Sequence, residues 1–431
     1  MHHHSTIDPP ADLWISSRQE TVKTTHLSSF LALFGSVLLL MAGSSLLSTF
    51  LSLRMAVAGF SEPTIGLIMA GYYGGMVLGA FVCQDLIQRV GHIRAFASFA
   101  AVATVSVMLH FLYIDALAWG LLRLVTGAAM MGLCTAIESW LNECALATAR
   151  GRVFSVYMII VYTGNGLGQF LLRLNDIHGQ TILILVGILF TLALVPVSAT
   201  NAISPQTPKP IDFNLGRLFR WSPLGMIGCL TAGILNGAFY AMAPVFAHTI
   251  GFSVLDVSWF MGITVFSGLL LQWPIGLLSD HFNRCGVLAA QGGAVAVVSL
   301  AMGAAAAGPL PLVLLLTAVY GASAFSIYPV AVARAHDRLD PDEIVAVSAA
   351  LILFFGIGAV LGPILASVSM TLCGPAGLYV STALTGGFLC AVAFYVGHQK
   401  PVAVADQADF FPMSGPSSVA SELDPRLGSD L

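Results

Sequence analysis

The chain has very little charge for its length. Only 9% of its 431 residues are Asp, Glu, Lys or Arg, whereas soluble proteins carry about 25%. Hydrophobic residues make up 57% of the sequence, and long apolar runs recur along almost all of it. Runs of this kind are typical of membrane-spanning helices, and the short alternating segments of a transmembrane barrel are absent. We therefore predict an all-α integral membrane protein with no nucleic-acid partner.

Motifs for nucleotide hydrolysis, hydrolytic catalysis and metal binding are also missing. The sequence contains no GxxxxGK[ST], and none of its three lysines follows a glycine. It contains no HExxH and no GxSxG either. Its seven cysteines are scattered without a CxxC pair, so we expect them to be small packing residues. We therefore expect neither an enzyme nor an ATP-driven pump, and no cofactor or metal site.

Polar or Gly/Pro-rich breaks divide the apolar part of the chain into twelve candidate spans. We place these spans at residues 28–56, 63–87, 93–113, 116–140, 153–174, 179–198, 223–248, 255–280, 285–307, 310–334, 344–370 and 375–397. The longest break is rich in proline, which cannot continue a helix. This break divides the spans into six plus six. The predicted organisation is a tail at 1–26, a six-helix bundle at 27–199, a linker at 200–222, a second bundle at 223–398 and a disordered polar tail at 399–431.

The distribution of Lys and Arg predicts the orientation of these spans. With both termini in the cytoplasm, the inner loops and tails hold nearly all of the basic residues, and the outer ends hold only Arg54 and Arg173. This arrangement follows the positive-inside rule. We therefore expect a multi-pass membrane protein with both termini cytoplasmic.

The two halves of the chain resemble each other at a constant offset of 192 residues. "GFS" occurs at 59–61 and at 251–253, and "GNG" at 164–166 corresponds to "GIG" at 356–358. The segment "QDLIQRVGHIR" (84–94) falls opposite "GLLSDHFNRCG" (276–286). Because each half has an even number of spans, both halves have the same orientation. The repeat predicts a pseudo-twofold axis along the membrane normal and a binding site between the halves.

An arginine, Arg123, stands alone inside the fourth span, in "WGLLRLVTGAAMMG". It either extends its charged end to the outer interface or faces a hydrated cavity, and intramembrane charges usually face the interior. Glu138 lies on the same face of the helix but about 22 Å away, too far for an ion pair. We expect Asn165 and Gln169 of span 5 to lie at the depth of Arg123, although they could instead join helices by hydrogen bonds.

Other polar and aromatic side chains in the spans are candidates for the same site. Each could line the cavity or pack between helices, and Arg54 could also be an interfacial anchor. These candidates are Tyr72, Tyr73, Tyr162, Asn236, Tyr240, Gln272, Tyr320 and Arg54. Near the predicted cytoplasmic surface, Glu138 could pair with Arg89, Arg150 or Arg152, or it could carry a proton. In the same region, Asp280 precedes Arg284 by four residues, so the two can pair locally.

The segment "GLLSDHFNR" resembles the motif that the major facilitator superfamily carries between spans 8 and 9, where it acts as a cytoplasmic gate. The resemblance implies gate roles for Gly276, Asp280 and Arg284, and for Arg89, Gly91 and Arg94 in the degraded copy of the first half. "LLRLVTGAA" resembles the superfamily's span 4, in which the arginine, here Arg123, is linked to proton coupling or to anionic substrates.

Several longer stretches resemble one bacterial branch of the superfamily, the YcaD-like transporters. They are "GFSEPTIGLIMAGYYGGMVLGA", "IESWLNE", "RGRVFSVYMIIVYTGNGLGQF" and "YPVAVARAHD". The Gly-Pro that drug antiporters of the superfamily show in span 5 is absent. The resemblance implies a secondary transporter that moves a small anionic or zwitterionic organic solute by alternating access, coupled to protons. A membrane receptor that kept the fold and a multidrug efflux antiporter are the alternatives.

Overall fold

The computed structural model describes residues 11–112, 114–145, 150–174, 177, 179–198, 222–306, 308–337 and 344–399. The predicted linker, apart from Ser222, and the predicted C-terminal tail, apart from Gln399, lie outside these residues. The helices are α1 (Ala11–Val57), α2 (Glu62–Val90), α3 (His92–Leu109), α4 (Ala116–Cys144), α5 (Arg150–Leu171), α6 (Thr181–Leu192), α7 (Leu194–Ser198), α8 (Pro223–Thr249), α9 (Val254–His281), α10 (Arg284–Ala304), α11 (Leu310–Ala324), α12 (Ile327–His336), α13 (Ile344–Cys373) and α14 (Gly377–Gln399).

The described helices confirm an all-α membrane protein of twelve spans. Eleven spans are long and apolar enough to cross a bilayer, with α6 and α7 forming one of them and α11 and α12 another. The twelfth span is α5, which is less apolar because it contains two arginines, an asparagine and a glutamine. Helix α1 begins at Ala11, so it extends well before the predicted start of the first span at residue 28.

Two predicted spans are interrupted by proline. Span 6 is broken at Ala193, three residues before Pro196. Span 10 is broken at Phe325 and Ser326, just before Pro329. Proline lacks an N–H, and its ring clashes with the carbonyl four residues earlier, which explains both breaks. The second break places Phe325 at the centre of the molecule.

The structure repeats the internal similarity seen in the sequence. Gly59 and Gly251 both adopt positive φ, of 79° and 90°, where a side chain would be strained. In each case the following Phe N–H donates to the carbonyl five residues earlier, Phe60 to Met55 and Phe252 to Ala247. These two turns are again 192 residues apart, so the same turn joins the first two spans of each half.

Glycines bring particular helices into backbone contact. A Cβ added at Gly127 of α4 would overlap the carbonyl oxygen of Tyr72 in α2, and one at Gly75 would overlap that of Leu124. A Cβ on Gly164 of α5 would lie 2.9 Å from the Leu38 carbonyl oxygen, and one on Gly168 would overlap that of Ala42, so α5 also packs closely on α1. These contacts hold α2 against α4 and α1 against α5.

We call the end that carries the α2–α3 and α9–α10 connections the inner end, and the opposite end, with Gly59 and Gly251, the outer end. At the outer end the two halves are in contact. A Cβ on Gly66 of α2 would lie 2.6 Å from the Pro363 carbonyl oxygen of α13, and Phe170 packs edge-on against Trp259 at 5.0 Å. The halves are therefore closed against each other on this side.

Candidate functional site

A cavity of about 670 Å³ lies between the two halves. It is lined from the first half by α1, α2, α4 and α5, and from the second by α8, α13 and Phe325. Six of the predicted solute-contacting residues line it: Tyr72, Tyr73, Tyr162, Asn165, Asn236 and Tyr240. The prediction that a site lies between duplicated halves therefore matches the position of this cavity.

The cavity reaches the surface at the inner end. Its lining there includes Asp85 and Gln88 near the end of α2, and both side chains are exposed. Opposite them, Ala349 and Ile352 belong to the inner part of α13. Because α2 and α13 touch at the outer end and separate at the inner end, the cavity is closed at the outer end and open at the inner end.

Arg123 lies directly behind the cavity wall. Its side chain is buried, at 1% exposure, and two cavity-lining residues cover it. The guanidinium carbon is 4.4 Å from the centre of the Tyr72 ring, and Nη2 donates to Ser48 Oγ at 3.5 Å. Its Nε has no hydrogen-bond partner among the described residues. Arg123 therefore does not extend to the outer interface, and its hydrogen-bonding capacity is mostly unused.

The hydrogen bonds of Gln169 match the alternative role considered for it, which is to join helices. Gln169 is fully buried, accepts a hydrogen bond from Thr49 at 2.7 Å and donates another to Ser45. These bonds join α5 to α1, so both the oxygen and the nitrogen of the amide are directed at α1. Asn165 lines the cavity, and its backbone carbonyl accepts from Ser45 at 2.6 Å.

Three further candidates lie outside the cavity lining among the described residues. Tyr320 is buried and packs 5.8 Å from the Phe239 ring, with its hydroxyl directed at the Leu235 carbonyl. Gln272 is buried in α9. Arg54 donates to the Ile177 carbonyl at 3.3 Å, near the outer end. In this structure these three residues therefore lie away from the described cavity lining.

The cavity wall is rich in aromatic rings. Tyr72 and Tyr73 meet edge to face at 5.3 Å, while Tyr240 and Phe325 stack at 5.7 Å with only 11° between their planes. The phenol of Tyr240 interacts electrostatically with those of Tyr73 and Tyr162 from the opposite half. The cavity therefore offers flat apolar surfaces together with several hydroxyl groups.

The gate-motif residues of the second half form a buried ionic cluster at the inner end. Arg284 is fully buried and pairs with Asp280 at 2.9 Å, as the four-residue spacing predicts. It also pairs with Asp337, which follows α12 and is itself within 3.5 Å of Arg334. The cluster ties α9, α10 and α12 together. Gly276 lies buried one turn away, and its carbonyl accepts from Ser279.

The corresponding segment of the first half carries no such cluster among the residues that the structure describes. Gly91 separates α2 from α3 with a φ of 84°, which favours glycine. Arg89 and Arg94 are exposed, and neither makes an ion pair with another described residue. At the offset of 192, His92 occupies the place of Arg284, and its Nε2 lies 3.0 Å from Ser139 Oγ. The gate role of Arg89 and Arg94 stays a prediction.

Glu138 is buried near the inner end of α4, at 5% exposure. Tyr157 of α5 donates a hydrogen bond to its Oε1 at 2.9 Å. Sequence reasoning did not single out Tyr157, Ser48 or Phe325. The serines of α1 could have been found, because Ser44, Ser45 and Ser48 form a polar stripe at helical spacing. Asp337 gave no such signal, since 53 residues separate it from Arg284.

Comparison with known proteins places this architecture in a family. The sequence model of the Major Facilitator Superfamily matches residues 33–363 and 225–421. An uncharacterized MFS-type transporter, YcaD of Escherichia coli strain K12, is 30% identical over 347 residues. That alignment covers 79% of this chain and 88% of YcaD.

Solved structures share the fold at low sequence identity. The nucleoside transporter NupG superposes with a TM-score of 0.68 at 15% identity, covering 87% of this chain and 100% of NupG. A D-xylose-proton symporter superposes with a TM-score of 0.65 at 16% identity, covering 85% and 97%. A bacterial homologue of the human lysosomal transporter Spinster, in an inward-facing conformation, gives 0.65 at 13% identity, covering 93% and 97%.

Proposed function

The chain belongs to the major facilitator superfamily of secondary transporters, and we propose that it moves a small organic anion across a bacterial inner membrane by alternating access, coupled to protons. Membership of this family makes the protein a multi-pass membrane transporter of a small molecule and not an enzyme. The solute class, the coupling ion and the orientation are the proposed part. Both termini would lie in the cytoplasm, and the working unit would be a monomer.

The buried charge of Arg123 carries the proposal for an anionic solute. A buried guanidinium with an unpaired Nε is costly, because burial removes water without replacing its hydrogen bonds. A carboxylate or phosphate in the cavity would compensate this charge across the thin wall formed by Tyr72 and Ser48. The low dielectric of a membrane interior strengthens that attraction.

The described lining offers no carboxylate at the centre of the cavity, which favours an anion over a zwitterion. Among the described lining residues Asp85 is the only Asp, Glu, Lys or Arg, and it lies at the inner mouth. A zwitterion would also need a partner for its cation near the centre, where the lining instead offers neutral amides and phenols. The aromatic walls further favour a solute with a planar or apolar body.

Coupling to protons follows from the cost of moving a charge through the membrane potential. Each elementary charge is worth about 2.3 kcal/mol per 100 mV. A proton that travels with a monovalent anion cancels this term, so the pair can accumulate against the potential. The chain lacks a nucleotide-binding motif that could supply energy in another way.

A thermal-shift screen of the purified protein tests the solute class. Carboxylates, phosphate monoesters, zwitterions and neutral amides of matched size are compared, because a ligand that favours the folded state raises its melting temperature. We expect anions to give the largest shifts. R123Q should abolish the shift, while R54Q, an arginine outside the cavity lining, should keep it. An equal shift in R123Q and wild type would contradict the anion site.

Uptake into proteoliposomes tests transport and separates the alternatives. We expect the best anion of the screen to accumulate when a pH gradient is imposed, and only to equilibrate without one. Binding without any flux would identify a receptor that kept the fold. Export of several unrelated apolar cations in exchange for protons would identify a multidrug antiporter. Either of these two outcomes would overturn the proposed function.

A further inference from the structure

We propose that Glu138, hydrogen-bonded to Tyr157, is the proton-binding site that couples transport to the pH gradient. This inference rests on the proposed function, which does not identify the group that carries the proton. Glu138 belongs to α4, the helix that also carries Arg123. It lies one helical turn beyond Thr135, which lines the cavity. A proton that enters the inward-open cavity therefore needs to travel only a short distance to reach this carboxyl group.

The partner of Glu138 suits both protonation states. Tyr157 is itself buried, at 3% exposure, and its hydroxyl donates to Glu138 Oε1 at 2.9 Å. A phenol can donate to a carboxylate, and it can equally accept from a protonated carboxyl. The hydroxyl of Tyr157 can therefore keep a hydrogen bond to Glu138 both before and after the carboxyl binds a proton. The hydrogen bond reverses its direction when the carboxyl gains its proton.

The other fully buried carboxylate among the described residues has a different environment. Asp337 lies between Arg284 and Arg334, and its side chain has no exposed surface. Two arginines, which stay protonated, hold that carboxylate in its charged form. Protonation of Asp337 would leave Arg284 with half of its ionic partners. Asp337 is therefore held as a charged member of the ionic cluster at the inner end, whereas Glu138 accepts a hydrogen bond from the neutral phenol of Tyr157.

The surroundings of Glu138 connect it to both halves of the molecule. It interacts electrostatically with Cys134 of its own helix, with Tyr157 of α5 and with Tyr328 of α12, which belongs to the opposite half. Movement of one half against the other therefore changes the environment of the carboxyl. Further charged or histidine side chains described near the inner end are Asp85 and Arg89 of α2, His92 and Arg94 of α3, Arg150 and Arg152 of α5, and, in or directly after α12, Arg334, His336 and Asp337.

The position of Glu138 also explains how proton and solute could affect each other without touching. Glu138 and Arg123 share one face of α4 and are separated by about 22 Å along its axis. Both therefore move with the same rigid helix. Glu138 lies at the inner end of that helix, where the halves separate, and Arg123 lies beside the solute cavity.

Infrared difference spectroscopy on the purified protein measures proton binding directly, with protons as the probe. We expect a pH-dependent band from a protonated, buried carboxylic acid in the wild type. E138Q should lose this band, Y157F should shift its frequency because one hydrogen bond is removed, and D85N should leave it unchanged. A band that survives in E138Q would overturn the assignment. Y157F tests it even if E138Q does not fold.

A transport assay can refute the role of Glu138 without refuting the proposed function. A gradient of about one pH unit supports about tenfold accumulation of a solute that moves with one proton, since 1.4 kcal/mol corresponds to a factor of ten. With the best anion of the screen, E138Q should abolish accumulation but retain exchange of labelled for unlabelled anion. Accumulation that persists in E138Q would refute the role of Glu138 and leave the proposed function intact.

The two remaining outcomes are also decisive. No gradient-driven accumulation in the wild type would refute the proposed coupling itself, whatever the infrared band shows. Appearance of the carboxylic-acid band only in R89Q, R150Q or R152Q, and not in the wild type, would show that Glu138 is held charged as an ion-pair partner at the inner end. That result would overturn its assignment as the proton site.

Discussion

Substitution of Gly127 by alanine should separate α2 from α4 and displace Tyr72 from Arg123. The added Cβ would overlap the Tyr72 carbonyl oxygen and lie 2.8 Å from its carbon and 3.1 Å from the Met76 nitrogen. These atoms are backbone, so no side-chain rotation can relieve the clash. The two helices would have to move apart by about 1 Å, an overpacking that costs roughly 1–3 kcal/mol.

The expected effect is a lower melting temperature together with weaker anion binding. For a folded unit of about 150–250 residues, 1 kcal/mol corresponds to about 2–4 °C, so G127A should melt roughly 3–10 °C below the wild type. The best anion of the screen should also give a smaller thermal shift, because Tyr72 and Arg123 no longer keep their contact of 4.4 Å.

A matched control exists on the same helix. Gly120 of α4 has no atom within 4 Å of an added Cβ, so G120A should melt at or slightly above the wild-type temperature. Equal melting temperatures for G127A and G120A would refute the reasoning, because they would show that close backbone contact does not hold α2 against α4. Unchanged anion binding in a destabilised G127A would show that the site does not depend on this contact.

Three further predictions test the gates and the helix contacts. G66A should open the outer end, because its Cβ would meet the Pro363 carbonyl of the other half. A reporter cysteine introduced by S48C should then react faster with an impermeant maleimide added outside. G74A, whose added Cβ meets no atom, should leave that reaction rate unchanged. R284Q should destabilise the protein by about 3–5 kcal/mol, because it breaks a buried ionic cluster; a melting temperature within error of wild type would contradict this. Q169L should lower the free energy of unfolding by about 1 kcal/mol, because hydrogen bonds between α1 and α5 are lost. It should leave the anion-induced shift in melting temperature unchanged, and loss of that shift would show that Gln169 contributes to the solute site.

Much of the architecture follows from local sequence patterns. Apolar runs of bilayer length predict the spans, and the repeated "GFS" predicts a turn that both halves adopt at Gly59 and Gly251. The four-residue spacing of Asp280 and Arg284 predicts their pairing, which lies within one helical turn. These features depend on residues close together in the chain, where helical geometry alone determines which side chains meet.

The assignment of individual polar residues to the cavity was less successful, because it depends on helix rotation. Tyr240 and Tyr320 have similar depth and chemistry in the sequence. Tyr240 lines the cavity, whereas Tyr320 packs against Phe239 and faces away from it. Hydropathy is nearly the same on every side of a helix surrounded by lipid and other helices, so it does not indicate which side faces the cavity.

The sequence by itself determined the membrane class, the twelve spans, the duplication and the isolation of Arg123, because each of these depends on composition and on spacing along one helix. Only the tertiary structure decided that Tyr72 and Ser48 cover Arg123, that Gln169 joins α5 to α1, and that Asp337 completes the ionic cluster around Arg284. These contacts join residues that are up to 124 positions apart, and they depend on the rotation of whole helices. Backbone approach at glycines such as Gly127 sets that rotation, and it is a property of two packed surfaces that neither sequence segment contains alone.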